Sequence, residues 1–210
     1  MILHETGLAG AYRVALEELR DERGLFARSF CSEVFAAHGL VSRWVQSNVS
    51  FNTARGTLRG MHWQVAPHAE VKLVRCTAGA LYDVIVDLRP GSPTHLRWAG
   101  FTLSAANRDA LYVPEGFAHG FLTLADATEV FYEMSRPHEP AAARGLRWND
   151  AAIGIEWPAV PRIVSARDAG YADFDPASAD ATDFATPERA VSVPGPDGRG
   201  AVDSRGRGRA

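Results

Sequence analysis

Ionisable side chains recur in this sequence inside segments that otherwise have the composition of buried strands. Arg59 and His62 share one such segment, Lys72 and Arg75 the next, Asp83 and Asp87 a third, and His119 and Tyr132 lie in two more. Burying a charge is costly unless it is paired or used, so groups of this kind in strand interiors mark candidate acid–base chemistry. Singly, each has a structural explanation: His62 as a bonded core histidine, Arg59 as a rim ion pair, Tyr132 as a core aromatic with its hydroxyl bonded. Together on neighbouring strands they favour one common site. Lys72 is also compositionally unusual. Of 22 Lys and Arg residues 21 are Arg, and the single Lys lies in the apolar run Val71-Lys72-Leu73-Val74, where a solvated surface cation is not expected.

The elements that must carry these residues read as strands punctuated by turns. Strands are predicted over residues 41–50, 57–64, 71–77, 81–88, 96–104, 111–113, 117–124, 128–135 and 153–157. Turn chemistry separates them at Gly56, Ala78-Gly79, Pro90-Gly91-Ser92-Pro93, Pro114-Glu115-Gly116 and the loop from 137 to 145. One short helix is predicted over 32–38, with Ser32 as N-cap and Gly39 past its end. Many short strands with little helix imply an all-β sandwich or barrel. Strand alternation puts Lys72, Val74 and Cys76 on one face, and the Ala78-Gly79 turn would lay the Lys72 strand beside the Asp83 strand, predicting a Lys72–Asp83 pair.

The chain has 210 residues and a formal net charge of -3, which argues against a nucleic-acid binder. No apolar run reaches the roughly 18 residues of a membrane span, and the first residues lack the basic and apolar regions of a secretory signal, so a cytoplasmic location without membrane association is expected. Cys31 and Cys76 match no disulfide framework or zinc pattern. Residues 1–175 read as one domain. From 176 to 210 the chain holds four Pro, five Gly and one aromatic residue, with no periodic apolar pattern, and a disordered tail is expected there.

The run Pro114-Glu115-Gly116-Phe117-Ala118-His119 fits the P-x-G-x-x-H turn of the cupin jelly rolls. Metal-binding cupins also carry H-x-H and a Glu; here the corresponding strand reads His62-Trp63-Gln64, so the second imidazole is missing. A wider set of segments resembles the dTDP-4-dehydrorhamnose 3,5-epimerases, a metal-free cupin family. They are Asp21-Glu22-Arg23-Gly24, Leu58-Arg59-Gly60-Met61-His62-Trp63-Gln64, Lys72-Leu73-Val74-Arg75-Cys76, Asp83-Val84-Ile85-Val86-Asp87-Leu88-Arg89, Ser92-Pro93-Thr94, Leu111-Tyr112-Val113 leading into the turn above and on through Gly120-Phe121, Trp148-Asn149-Asp150 and Ile155-Glu156-Trp157-Pro158.

The resemblance implies a jelly-roll cupin with a few short helices that epimerises a nucleotide-linked 4-keto-6-deoxy sugar in deoxysugar biosynthesis, without cofactor or metal. It implies His62 as base, Asp168 as the carboxylate orienting it, Tyr132 as the acid on the opposite face, and Lys72 at the enolate oxygen. Arg23 and Arg59 match diphosphate ligands, Gln46 and Asn48 lie near the nucleotide, Phe26 stacks on the base, and His119 supports the sugar or the base. His138 and Arg167 are further substrate-binding candidates. The family pairs N-terminal strands between subunits, so a homodimer is expected. This chain departs from the family pattern at Arg28, at the loop Arg136-Pro137-His138-Glu139-Pro140 where tyrosines are usual, and at Ala143, all on the nucleotide side. Three rival readings remain open at this level: an epimerase of a single carbon, a metal-dependent cupin oxygenase, and a non-catalytic sugar-binding cupin.

Overall fold

The computed structural model describes residues 1–175. The tail expected from 176 onward lies outside the described residues. Fourteen strands and two short helices are present among them: β1 (Ile2–Glu5), β2 (Tyr12–Ala15), β3 (Leu19–Asp21), β4 (Gly24–Phe26), α1 (Ser32–Ala37), β5 (Gln46–Asn52), β6 (Thr57–Gln64), β7 (Lys72–Ala78), β8 (Ala80–Asp87), β9 (Trp98–Ser104), β10 (Ala110–Val113), β11 (Phe117–Thr123), β12 (Thr128–Met134), β13 (Ala143–Gly145), β14 (Ile163–Val164) and α2 (Ala166–Ala169). One sheet runs β1-β2-β10-β7-β12-β5; the other runs β13-β6-β11-β8-β9, with β14 added in parallel to β6.

The two sheets bury their inner faces against each other. Val74, Cys76, Leu111, Val113 and Val130 of the first pack against Leu81, Ile85, Leu103, Phe117 and Phe121 of the second, all nearly inaccessible to water. Burial of such side chains stabilises by roughly 1.5–3 kcal/mol each, which makes this the principal core. Each outer face is also covered. Phe35 of α1 lies with Leu73 and Tyr112 on one, and the chain from Ala142 to Trp157 lies on Met61, Trp63, Val84 and Val86 of the other. The all-β jelly-roll expectation therefore holds, and no helix among the described residues is long and apolar enough to cross a membrane.

Several local expectations are corrected. Residues 153–157 form no strand; Ile153, Ile155 and Trp157 alternate because they face the outer side of the second sheet, with no neighbouring strand to pair with. Cys31, extended at φ -148°, occupies the N-cap of α1 without a side-chain cap, and Ser32 is already helical. The Ala78-Gly79 turn does not return the chain within one sheet: β7 belongs to the first sheet and β8 to the second. Gly79 makes this crossing with φ +71°, and a Cβ there would lie 2.5 Å from Thr128 Oγ1. The strands β1 to β4 lie outside all predicted segments.

Candidate active site

A cavity of about 760 Å³ opens between the inner faces of the sheets. Residues of β6 and β11 line one wall and residues of β5, β7 and β12 the other, with Arg144 supplied by β13, Arg167 and Asp168 by α2, and Glu70 and His138 by connecting segments. Of the twelve candidates from sequence, ten line this cavity: His62, Asp168, Tyr132, Lys72, Gln46, Asn48, Arg59, His119, His138 and Arg167. Arg23 and Phe26 do not. They sit on the exposed β3–β4 hairpin, where Arg23 pairs with Asp21 and Phe26 is 71% exposed.

His62 and Asp168 are brought together by β14, which runs along β6 and delivers the one-turn helix α2 beneath the imidazole. Ser165 caps α2 by accepting the Asp168 N–H at 3.0 Å. Asp168, 4% exposed, receives His62 Nε2 on Oδ1 at 2.7 Å and the Gly60 N–H on Oδ2 at 3.1 Å. Burial works to raise its pKa, but the His62 ring, the Gly60 amide and Ser165 outweigh it and hold the carboxyl below its ordinary value of 3.8. An ionised carboxylate only accepts, so it fixes Nε2 as the protonated nitrogen and leaves Nδ1 as the free base.

Arg59 and His62 are three positions apart and would face opposite ways on a regular strand. A register shift between β6 and β11 removes the conflict: His62 pairs with His119 and Arg59 with Phe121, so three residues of β6 span two of β11, and all four face inward. Gly60 makes the shift possible. It has φ +126°, and a Cβ there would lie 2.5 Å from the Gly120 Cα.

Tyr132 and Lys72 come from the opposing sheet, on adjacent strands. Burial pushes the Tyr132 phenol up; Arg59 draws it back and the Glu70 charge adds to the rise, and the net shift is upward. The predicted Lys72–Asp83 pair is not formed. Lys72 Nζ lies 2.5 Å from Glu70 Oε1, and Asp83, fully buried on β8, instead accepts from His119 Nε2 at 2.7 Å. The cause is the sheet crossing at Gly79, which separates the two strands that a simple hairpin would have joined. The cavity thus holds two imidazole–carboxylate pairs on cross-strand neighbours, His62 with Asp168 and His119 with Asp83.

At the other end, Gln46 donates to Asn48 Oδ1 at 3.0 Å and accepts the His138 N–H at 2.9 Å. Arg59 Nε donates to Asn52 Oδ1 at 2.8 Å, and Arg167 Nε donates to the Tyr171 hydroxyl at 2.8 Å. Gln64, in the position of a metal cupin's second histidine, is used structurally. Its amide donates to the carbonyls of His68 at 2.8 Å and Pro137 at 3.3 Å, and accepts the Glu139 N–H at 2.6 Å. Among the described residues no group of three or more His, Cys, Asp or Glu is placed to hold a metal ion. Sequence reasoning missed Glu70, Gln64 and the partner of Asp83; only the Glu70-x-Lys72 spacing offered a signal for the first.

A family profile described as dTDP-4-dehydrorhamnose 3,5-epimerase matches residues 5–175. A dTDP-4-dehydrorhamnose 3,5-epimerase of Shigella flexneri is 46% identical over 149 residues, 70% of this chain and 82% of that protein. Among solved structures, the Bacillus anthracis dTDP-4-dehydrorhamnose 3,5-epimerase with TDP and PPi bound matches with TM-score 0.79 and 39% identity, covering 82% of this chain and 99% of that one. A Legionella pneumophila dTDP-6-deoxy-D-glucose-3,5-epimerase in complex with dTDP-4-keto-L-rhamnose matches with TM-score 0.81 and 30% identity, covering 88% and 98%.

Proposed function

This chain belongs to the dTDP-4-dehydrorhamnose 3,5-epimerase family, and on that premise we propose how its own residues invert C3 and C5 of a dTDP-linked 4-keto-6-deoxy hexose. The observation that carries the reading is one cavity with an imidazole–carboxylate pair on one wall and a phenol beside an ammonium on the other. Binding alone needs no such opposition; inversion at carbon does, since a proton must leave one face and another arrive on the opposite face.

The C4 ketone acidifies the hydrogens on C3 and C5. His62 Nδ1 takes the proton, and the C–H electron pair moves into a C=C bond as the carbonyl pair moves onto oxygen. The imidazolium so formed is stabilised by Asp168, and the enolate oxygen by the Lys72 ammonium. The enolate then collapses, carbon takes a proton from the Tyr132 hydroxyl on the other face, and solvent restores both groups. His119, whose Nε2–H is held by Asp83, accepts a sugar hydroxyl on its free Nδ1. Arg59 and Arg167 take the diphosphate with their planar guanidinium forks, and Gln46, Asn48 and His138 border the nucleotide.

The functional unit in this reading is a homodimer. Arg23 and Phe26 do not line the cavity of their own chain, so a nucleotide role for them requires the cavity of a second copy. β5, an edge strand of the first sheet, exposes Val49 and Phe51 where they border the cavity, and Leu19 and Phe26 are exposed on the hairpin. Pairing would cover this apolar surface and an open sheet edge.

Turnover of dTDP-4-dehydro-6-deoxyglucose in D2O tests the assignment, with the carbons read by NMR. Deuterium is expected at both C3 and C5. Label at one carbon only would make the chain a single-carbon epimerase, and no label at either would overturn the reading.

A further inference from the structure

Glu70 has no part in the scheme above, yet it sits in the same cavity wall as Lys72. Its side chain is 4% exposed and that of Lys72 10%, with Oε1 and Nζ 2.5 Å apart. The other carboxylate oxygen, Oε2, is buried with no hydrogen-bond partner. A buried carboxylate is costly to maintain, so its retention beside the only lysine calls for a return. The backbone between the two residues is also fixed: the Val71 N–H donates to Ser135 Oγ at 2.8 Å, and the Val71 carbonyl accepts the Ser135 N–H at 3.0 Å. The pair is therefore anchored to the end of β12.

We propose that Glu70 is the positioning residue of Lys72, resting on the function given above. A dTDP sugar brings two negative centres into this cavity: the diphosphate, permanently charged, and the ketone oxygen, charged only after proton abstraction. An ammonium on a flexible four-carbon stem would be drawn toward the permanent charge. Glu70 holds it at the sugar end. Because the carboxylate also balances the ammonium before reaction, Lys72 gains little from the neutral ketone and most from the enolate, which directs its effect to the transition state.

A double-mutant cycle tests this, using Glu70→Gln, Lys72→Ala and the double variant, with kcat, KM and deuterium washout measured for each beside the wild type. Glu70→Gln is expected to lower kcat by about tenfold or more while KM stays within about twofold, as for loss of an interaction made only in the transition state. In the Lys72→Ala background the same change should alter the residual rate by less than about twofold, since a positioning residue has nothing left to position. Wild-type kcat in Glu70→Gln, or an equal loss in both backgrounds, overturns the proposal. If Glu70→Gln does not fold, Glu70→Asp takes its place in the cycle under the same criteria. Wild-type rates in Lys72→Ala would instead count against the parent mechanism, so the two failures are distinguishable.

Discussion

Tyr132, the acid of the proposed scheme, has its proton affinity set by its surroundings. Burial raises its pKa, Arg59 offsets part of the rise, and Glu70 adds to it. The phenol therefore keeps its proton through neutral and mildly alkaline pH and can surrender it to a carbanion. Tyr132→Phe is expected to retain deuterium washout while inversion falls by about 100-fold or more, the scale of a lost general acid; parallel NMR assays of exchange and of product stereochemistry check this. The residue types of the site were legible in the sequence because ionisable groups stand out in apolar strands, where burying them is costly unless they are paired or used. Their partners were less legible. Strand pattern and turn chemistry point Lys72 toward Asp83, whereas Glu70 holds it from two residues away and Asp83 serves His119.

β8 and the turn that follows it hold the far end of the sandwich through one buried charge. Asp87 accepts from Arg89 Nε at 2.8 Å, Ser92 Oγ at 2.5 Å and Thr94 Oγ1 at 2.7 Å, and Arg89 also lies over the Phe117 ring at 4.6 Å. Burial would raise the Asp87 pKa, but these donors prevail and lower it from 3.8. A lowered folded-state value means that its stabilisation is complete above the unfolded value and is lost as pH falls through the folded one. Asp87→Ala is therefore expected to cost about 3 kcal/mol at neutral pH, the scale of breaking a buried pair, with the gap to wild type narrowing below about pH 4. Urea unfolding across pH measures both. The core strands from β5 to β12 were legible because their apolar alternation is regular. β1 to β4 were not, being only three or four residues long and partly exposed. Nor can a sequence pattern announce the extra residue of β6 that aims Arg59 and His62 the same way, since it depends on Gly60 meeting Gly120 across strands.

For the whole molecule the open question is what covers Val49, Phe51 and the β3–β4 hairpin. The dimer proposed above accounts for them and for the distance of Arg23 and Phe26 from their own cavity. Glutamate at both Val49 and Phe51 would place two carboxylates in an apolar contact, and this variant is expected to sediment as a folded monomer; because both side chains also border the cavity, sedimentation and not KM is the readout. A variant that still sediments as a dimer would locate the interface elsewhere. The tail from 176 onward lies beyond the family match, which ends at 175.

Gln64 also bears on how this cavity differs from a metal site. In metal-binding cupins a histidine at its position supplies an imidazole; here the amide holds two backbone groups of the His138 loop, at Pro137 and Glu139, and the carbonyl of His68 on the segment after β6. Histidine there would leave part of this half-buried set without its present partner before any ion bound. The glutamine that stands in place of a metal ligand is thus also the tie that seats the His138 loop beside the cavity.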